Sequence, residues 1–157
     1  MAGSGAPETG GVDASGLNVV VIAGTWHDVI TDGLIAGAKR VLDATGATYR
    51  VVRVPGSFEL PVASLAALQA GADAVVALGV IIRGGTPHFE FVSAAATDGL
   101  TRVALDTGKP VGFGVLTLDD EQQGLDRAGL EGSKEDKGAE AADAAIRTAL
   151  LLRELRG

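Results

Sequence analysis

The sequence predicts an α/β domain, a buried parallel sheet of four strands with helices on both faces, three layers in all. Three observations carry this reading. From residue 17 onward, short β-branched apolar runs alternate with longer segments of helical spacing, the signature of βαβ units. The runs are apolar almost throughout instead of alternating with polar residues, as strands covered on both faces require. Finally, 157 residues with 46% hydrophobic and 21% charged content suit one core and leave little room for a second.

The elements follow in order. Residues 18–23 (NVVVIA) read as the first strand. Residues 29–44 form a helix with Ile30, Leu34, Ala38, Val41 and Leu42 on one face, stopped by Gly46. Residues 48–54 make the second strand, closed by Pro55-Gly56, and residues 60–70 a short helix ended by Gly71. The most apolar run, residues 74–82 (AVVALGVII), is predicted to be a central strand. A helix over 87–107 comes next, with Thr86 as its N-cap and Pro87 in the first helical position, followed by a fourth strand over 110–116. Two helices, 121–128 and 136–156, close the chain around a polar loop at 130–135. Residues 1–16 carry five glycines and no Lys or Arg, and read as a flexible tail ahead of a domain at 17–157. They lack the basic and apolar regions of a secretory signal, so a cytoplasmic protein is expected.

Composition narrows the function. The net charge of −7 repels phosphate backbones and anionic membranes, so neither nucleic acid nor a membrane is an expected partner. No run approaches the ~18 apolar residues of a membrane span. The absence of cysteine removes disulfides, thiolate metal sites and thiol nucleophiles, and two histidines leave little for a metal site.

Open parallel sheets bind ligands at the carboxyl ends of their strands, which directs attention to residues 24–28, 55–59, 83–88 and 117–120. The first strand runs into Gly24-Thr25-Trp26-His27-Asp28, neither a G-x-G-x-x-G turn nor an acidic cluster, and no G-x-x-x-x-G-K-[ST] motif exists. In Arg83-Gly84-Gly85-Thr86-Pro87-His88, two glycines allow close approach to a helix N-terminus, where free N–H groups and the helix dipole favour an anion. The same residues also suit an ordinary strand-to-helix turn. His88 on the first helical turn adds a group able to move protons near neutral pH. With aromatics at only 4%, Trp26, Phe58 and Phe113 stand out at or near strand ends, where rings can sandwich a planar heterocycle; core filling is the competing fate, least so for Trp26 in its polar turn. His27 reads as a surface or capping residue. Glu59 could accept hydrogen bonds from a polyol or compensate a helix dipole. Arg127 comes at the end of a short helix, and Lys137 opens a long one, where its charge gains nothing from the dipole.

These motifs, PGSFELP at 55–61, ALGVIIRGGTPHFEFV at 77–92, GVLT at 114–117 and DRAG with DKG between 126 and 138, resemble those of the lumazine synthase family over essentially the whole chain after Leu17. The resemblance implies a flavodoxin-like fold. It also implies condensation of 5-amino-6-(ribitylamino)uracil with 3,4-dihydroxy-2-butanone 4-phosphate to 6,7-dimethyl-8-ribityllumazine, phosphate and water, the penultimate step of riboflavin biosynthesis, without a cofactor. Carried over by position, Trp26 stacks on the pyrimidine, where many members carry Phe. Ser57, Phe58 and Glu59 line the ribityl chain, and Val80, Ile81 and Ile82 lie beside the pyrimidine. Gly85 and Thr86 hold the phosphate with Arg127, and His88 shuttles protons. Phe113 stands where some members have Asn, and Lys137 matches the family's lysine.

The resemblance further implies a homopentamer whose sites lie between subunits, Phe113, Arg127 and Lys137 coming from the neighbour, and an association with riboflavin synthase. Some members stack twelve pentamers into a shell. The loop 130–136, about two residues longer than in shell formers, favours a free pentamer here. Two other functions fit parts of the pattern. A non-catalytic flavin-binding or shell-forming protein on the same scaffold would leave His88, Arg127 and Glu59 together without purpose. A sugar-phosphate-binding regulator would leave Trp26 and Glu59 without one.

Overall fold

The computed structural model describes residues 4–157. Four strands, β1 (Asn18–Ala23), β2 (Thr48–Arg53), β3 (Ala74–Ile82) and β4 (Val111–Leu118), form one parallel sheet in the order β2-β1-β3-β4. The apolar runs become strands because both faces are covered. Val19, Val21, Val76 and Leu78 pack under α1 (Asp28–Thr45) and α5 (Lys137–Arg156), whereas Val20, Ile22, Val75 and Ala77 pack under α2 (Leu60–Gln69) and α3 (His88–Thr107). This is the three-layer α/β/α architecture of flavodoxin-like folds, and the predicted central strand β3 lies inside the sheet between β1 and β4. All five residues of the predicted apolar face on α1 are buried, and Gly46 ends that helix in the left-handed region at φ 81.

Most elements shift at one end or both from the sequence reading, and four of the shifts have a visible local reason. β4 runs on to Leu118 because it pairs with β3 up to Ile82↔Leu118, and the Leu118 carbonyl then accepts the Arg83 N–H at 2.8 Å. The short helix α4 (Glu121–Leu125) ends early, so Arg127 stands in the turn beyond it, with its N–H on the Gly124 carbonyl. α5 starts at Lys137, with Asp136 as its cap accepting the Ala139 N–H. α3 starts at His88, and Pro87 rather than Thr86 holds the cap position. The Thr86 hydroxyl instead accepts the His88 N–H at a long 3.4 Å.

Residues 4–16 form no helix or strand. Their last part is seated on the domain: Ala14 is fully buried and donates to the Thr45 carbonyl, the Gly10 N–H donates to Asp143, and Arg147 donates to the Gly10 carbonyl. Among the described residues, no helix is long and apolar enough to cross a membrane, and no group of His, Cys, Asp and Glu is arranged to hold a metal ion.

Candidate active site

At the carboxyl ends of β1, β2 and β3 the chain leaves a cavity of about 650 Å³ beside the start of α3. Trp26 arrives from the end of β1. Ser57, Phe58 and Glu59 arrive on a single 3-10 turn after β2, Val80, Ile81 and Ile82 on β3 itself, and Thr86 and His88 on the turn into α3. Nine of the predicted site residues therefore line one cavity. Gly85 sits in the same turn without lining it.

Close packing beneath the cavity sets these positions. Ser57 is buried against β3, and a Cβ on Gly79 would stand 2.5 Å from the Ser57 hydroxyl oxygen and 3.1 Å from Leu60. Only glycine lets the turn settle that low. A Cβ on Gly56 would lie 3.3 Å from the Trp26 indole nitrogen and 3.5 Å from a Glu59 carboxylate oxygen, so ring and carboxylate converge over the Gly56 backbone. Trp26 and Phe58 are each 65% exposed, far more than rings that fill a core.

The turn before α3 is built differently. Gly84 and Gly85 lack positive φ, and a Cβ on either would meet nothing within 4 Å. Packing within this chain does not demand glycine there, so the missing side chains keep the backbone approachable. Among the described residues no acceptor takes the N–H of Gly85 or Thr86. Arg83 pins the turn from below: it pairs with Glu90 at 2.5 Å and Asp119 at 3.0 Å and lies over the Phe89 ring at 4.3 Å. Hydrogen bonds to Asp119 and then Glu90 hold the guanidinium above its ordinary range, and the bond from Arg83 holds the Glu90 carboxyl below its own. The charge of the acid on the first turn is thereby paired with Arg83 at the positive end of the helix.

Phe113, Arg127 and Lys137 do not line this cavity. Phe113 is flanked in β4 by Gly112 and Gly114, whose open sides press on α5 and on Leu78, and its ring, on the opposite face, is 48% exposed. Arg127 and Lys137 are brought together, as a separate cluster. One largely buried carboxylate, Glu135, receives Arg127 Nε at 3.4 Å and Lys137 Nζ at 3.0 Å, and Glu140 approaches Lys137 at 3.2 Å. Burial pushes the Lys137 ammonium down, but the carboxylates of Glu135 and Glu140 outweigh it and hold the group above the ordinary lysine range. The charge on Lys137 thus has partners within its own chain.

The sequence reading missed Phe89, Phe91 and Val92 as cavity walls and Glu135 as the bridge between the two cations. Helical spacing could have found two of these, because Phe91 and Val92 lie three and four residues beyond His88 and share its face. His27 does occupy a cap position, that of α1, but no side-chain bond accompanies it.

A model of the 6,7-dimethyl-8-ribityllumazine synthase family matches residues 16–153. The chain is 75% identical to the 6,7-dimethyl-8-ribityllumazine synthase of Leifsonia xyli subsp. xyli, with both chains covered in full. It is 71% identical to that of Clavibacter michiganensis subsp. michiganensis (100% and 99% covered) and 56% identical to that of Streptomyces avermitilis (99% and 97% covered). With its strand order, its site at the carboxyl ends of the strands and a family match over nearly all its length, the chain belongs to the 6,7-dimethyl-8-ribityllumazine synthase family.

Proposed function

We propose that the cavity between Trp26 and His88 is one wall of an active site whose other wall, carrying Phe113, Arg127 and Lys137, comes from a neighbouring chain. The protein is an enzyme, a transferase of riboflavin biosynthesis, and its reaction is that of its family, the condensation of 5-amino-6-(ribitylamino)uracil with 3,4-dihydroxy-2-butanone 4-phosphate. The observation that carries the two-wall reading is the division itself: pyrimidine, ribityl and proton-transfer residues line one cavity, whereas the phosphate-gripping arginine stands with Lys137 in a separate cluster.

In this reading Trp26 stacks on the pyrimidine beside Val80, Ile81 and Ile82, and Ser57, Phe58 and Glu59 take the ribityl hydroxyls. Gly85 and Thr86 offer N–H groups to the phosphate. Arg127 spends Nη1 on the Gln123 carbonyl and Nε on Glu135, which leaves further guanidinium N–H groups for phosphate oxygens. The amine attacks the ketone, a C–N bond forms and water leaves. The C–O bond to phosphate then breaks, and the ribitylamino nitrogen closes the ring on the remaining carbonyl carbon with loss of a second water. Holding two reactants in register supplies much of the rate, His88 moves protons at the reacting atoms, and the helix end with Arg127 stabilises the departing phosphate.

The reading extends to a domain at 17–157 behind a leader at 1–16, a homopentamer in the cytoplasm, and an association with riboflavin synthase. Incubation with both substrates tests the chemistry: a fluorescent lumazine and one phosphate per turnover are expected. A protein that binds flavin yet forms no lumazine would replace this reading by the non-catalytic one.

A further inference from the structure

The segment that presents Trp26 is held by groups that do not line the cavity. The Gly24 carbonyl accepts two hydrogen bonds from Arg53, from Nε at 3.1 Å and Nη2 at 2.8 Å. The Thr25 hydroxyl donates to the Pro55 carbonyl at 2.7 Å. Thr31, fully buried in the first turns of α1, donates from its hydroxyl to the Trp26 carbonyl at 2.7 Å and from its N–H to the His27 carbonyl at 2.9 Å. A helical threonine ordinarily bonds its hydroxyl back to the carbonyl three or four residues earlier. This one reaches five back, past His27 to Trp26.

His27 is why such holding is needed. Its φ of 56 and ψ of 68 make it the sole non-glycine residue with positive φ among the described residues. Left-handed backbone is unfavourable for an L-residue and persists only where its surroundings over-determine it. Four side-chain hydrogen bonds, two from Arg53 and one each from Thr25 and Thr31, close on the three carbonyls of Gly24, Trp26 and Pro55 and do the over-determining. What this constraint delivers is a large ring, 65% exposed, fixed at the mouth of the cavity without packing into the core.

We propose that Thr31 and Arg53 are positioning residues for the pyrimidine-bearing substrate: they lock the strained 24–28 turn so that Trp26 stands in its stacking orientation before substrate arrives. The proposal rests on the stacking role of Trp26 given above. Pre-orientation of this kind removes the ordering cost of a mobile ring from the binding step, so its loss falls on KM for one substrate and not on the chemical step.

The chain holds one tryptophan, so its fluorescence reports on this ring alone. Thr31→Val removes the hydroxyl at nearly constant shape, Thr31→Ser keeps it, and Arg53→Met removes both guanidinium bonds while retaining the stem. In Thr31→Val and Arg53→Met the fluorescence anisotropy of Trp26 is expected to fall, with KM for the pyrimidine raised roughly three- to tenfold. The kcat and KM for the phosphate-bearing ketone should stay near parental values. Thr31→Ser should recover both anisotropy and KM. If Thr31→Val fails to fold by circular dichroism, the part-exposed Arg53 decides through Arg53→Met. Quenching of parental fluorescence by the pyrimidine, together with unchanged anisotropy and KM in the folded variants, would overturn the positioning role alone. Parental fluorescence indifferent to the pyrimidine would overturn the stacking role, and positioning with it.

Discussion

At the residue scale, the proposed function divides the labour between His88 and Arg127. The imidazole stands on the cavity wall, and the guanidinium stands elsewhere, tied to Glu135. Replacing His88 by Ala should lower kcat by up to roughly 100-fold with both KM values little changed. Arg127→Ala should instead raise KM for the phosphate-bearing ketone by roughly 10- to 100-fold, as loss of charged hydrogen bonds implies, and leave the pyrimidine largely unaffected. Steady-state kinetics with each substrate varied in turn would refute this division if both variants lost affinity for both substrates alike. A second residue gives a pH signature away from the site. Burial first, and then the hydrogen bond to Asp43, pushes the phenol of Tyr49 up to about 12 from 10.0. Between those values the unfolded chain releases a proton that the folded chain keeps, so stability falls as pH rises through this window and is unaffected by this group below it. Tyr49 is the only tyrosine, so phenolate absorbance titrates it directly, with a midpoint near 12 expected and one near 10.0 contradicting its partial burial and its bond to Asp43. Trp26 was legible in the sequence because a large ring in a polar turn has no core to fill. Glu135 was not, because its contact with both cations exists only once the 130–136 loop has closed.

At the scale of elements, β3 does two tasks. Its apolar run builds both cores, and the bare backbone at Gly79 lets the turn after β2 sink until Ser57 joins the cavity wall. Gly79→Ala would drive a methyl into the Ser57 hydroxyl and Leu60, an overpacking that should cost about 1–3 kcal/mol. Urea denaturation should show a lowered midpoint at unchanged slope, and KM for the pyrimidine should rise because Ser57 is displaced. A variant with parental midpoint and KM would show that the contact is slack. The loop at 130–136 is equally built. Both Lys134 and Glu135 donate to the Asp126 carbonyl, Gly129 donates to Glu135, Ser133 closes on Leu125, and Asp136 caps α5 while pairing with Arg40 at 2.6 Å. Strand and helix identity were readable because periodicity and burial on both faces act over many residues. The end of β4 was not: nothing in Thr117-Leu118 distinguishes strand from loop until Ile82 is there to pair with Leu118.

For the whole molecule, the distribution of the site residues matters more than any single contact. Trp26 and Phe58 stand uncovered at one edge of the cavity, and Phe113, Arg127 and Lys137 lie outside it. A ring of identical chains in head-to-tail contact brings such surfaces together, because each subunit offers one wall to each of two neighbours. For the proposed homopentamer, the expectation drawn from the length of the 130–136 loop is a free ring rather than a stacked shell. Light scattering at physiological pH should return five subunits, and a sixty-subunit particle would refute the closed ring as the end state. The central claim, that each site is divided between two chains, is tested most directly by complementation. His88→Ala and Arg127→Ala proteins, assayed at a ketone concentration far below the raised KM so that both are impaired, then dissociated, mixed in equal amounts and reassembled, leave roughly a quarter of interfaces with both walls intact if assembly is random. Lumazine formation by the mixture should then rise well above that of either variant alone. If mass measurement proves that mixed rings have formed and activity stays at the average of the two components, each chain carries its own complete site and the divided-site account is wrong.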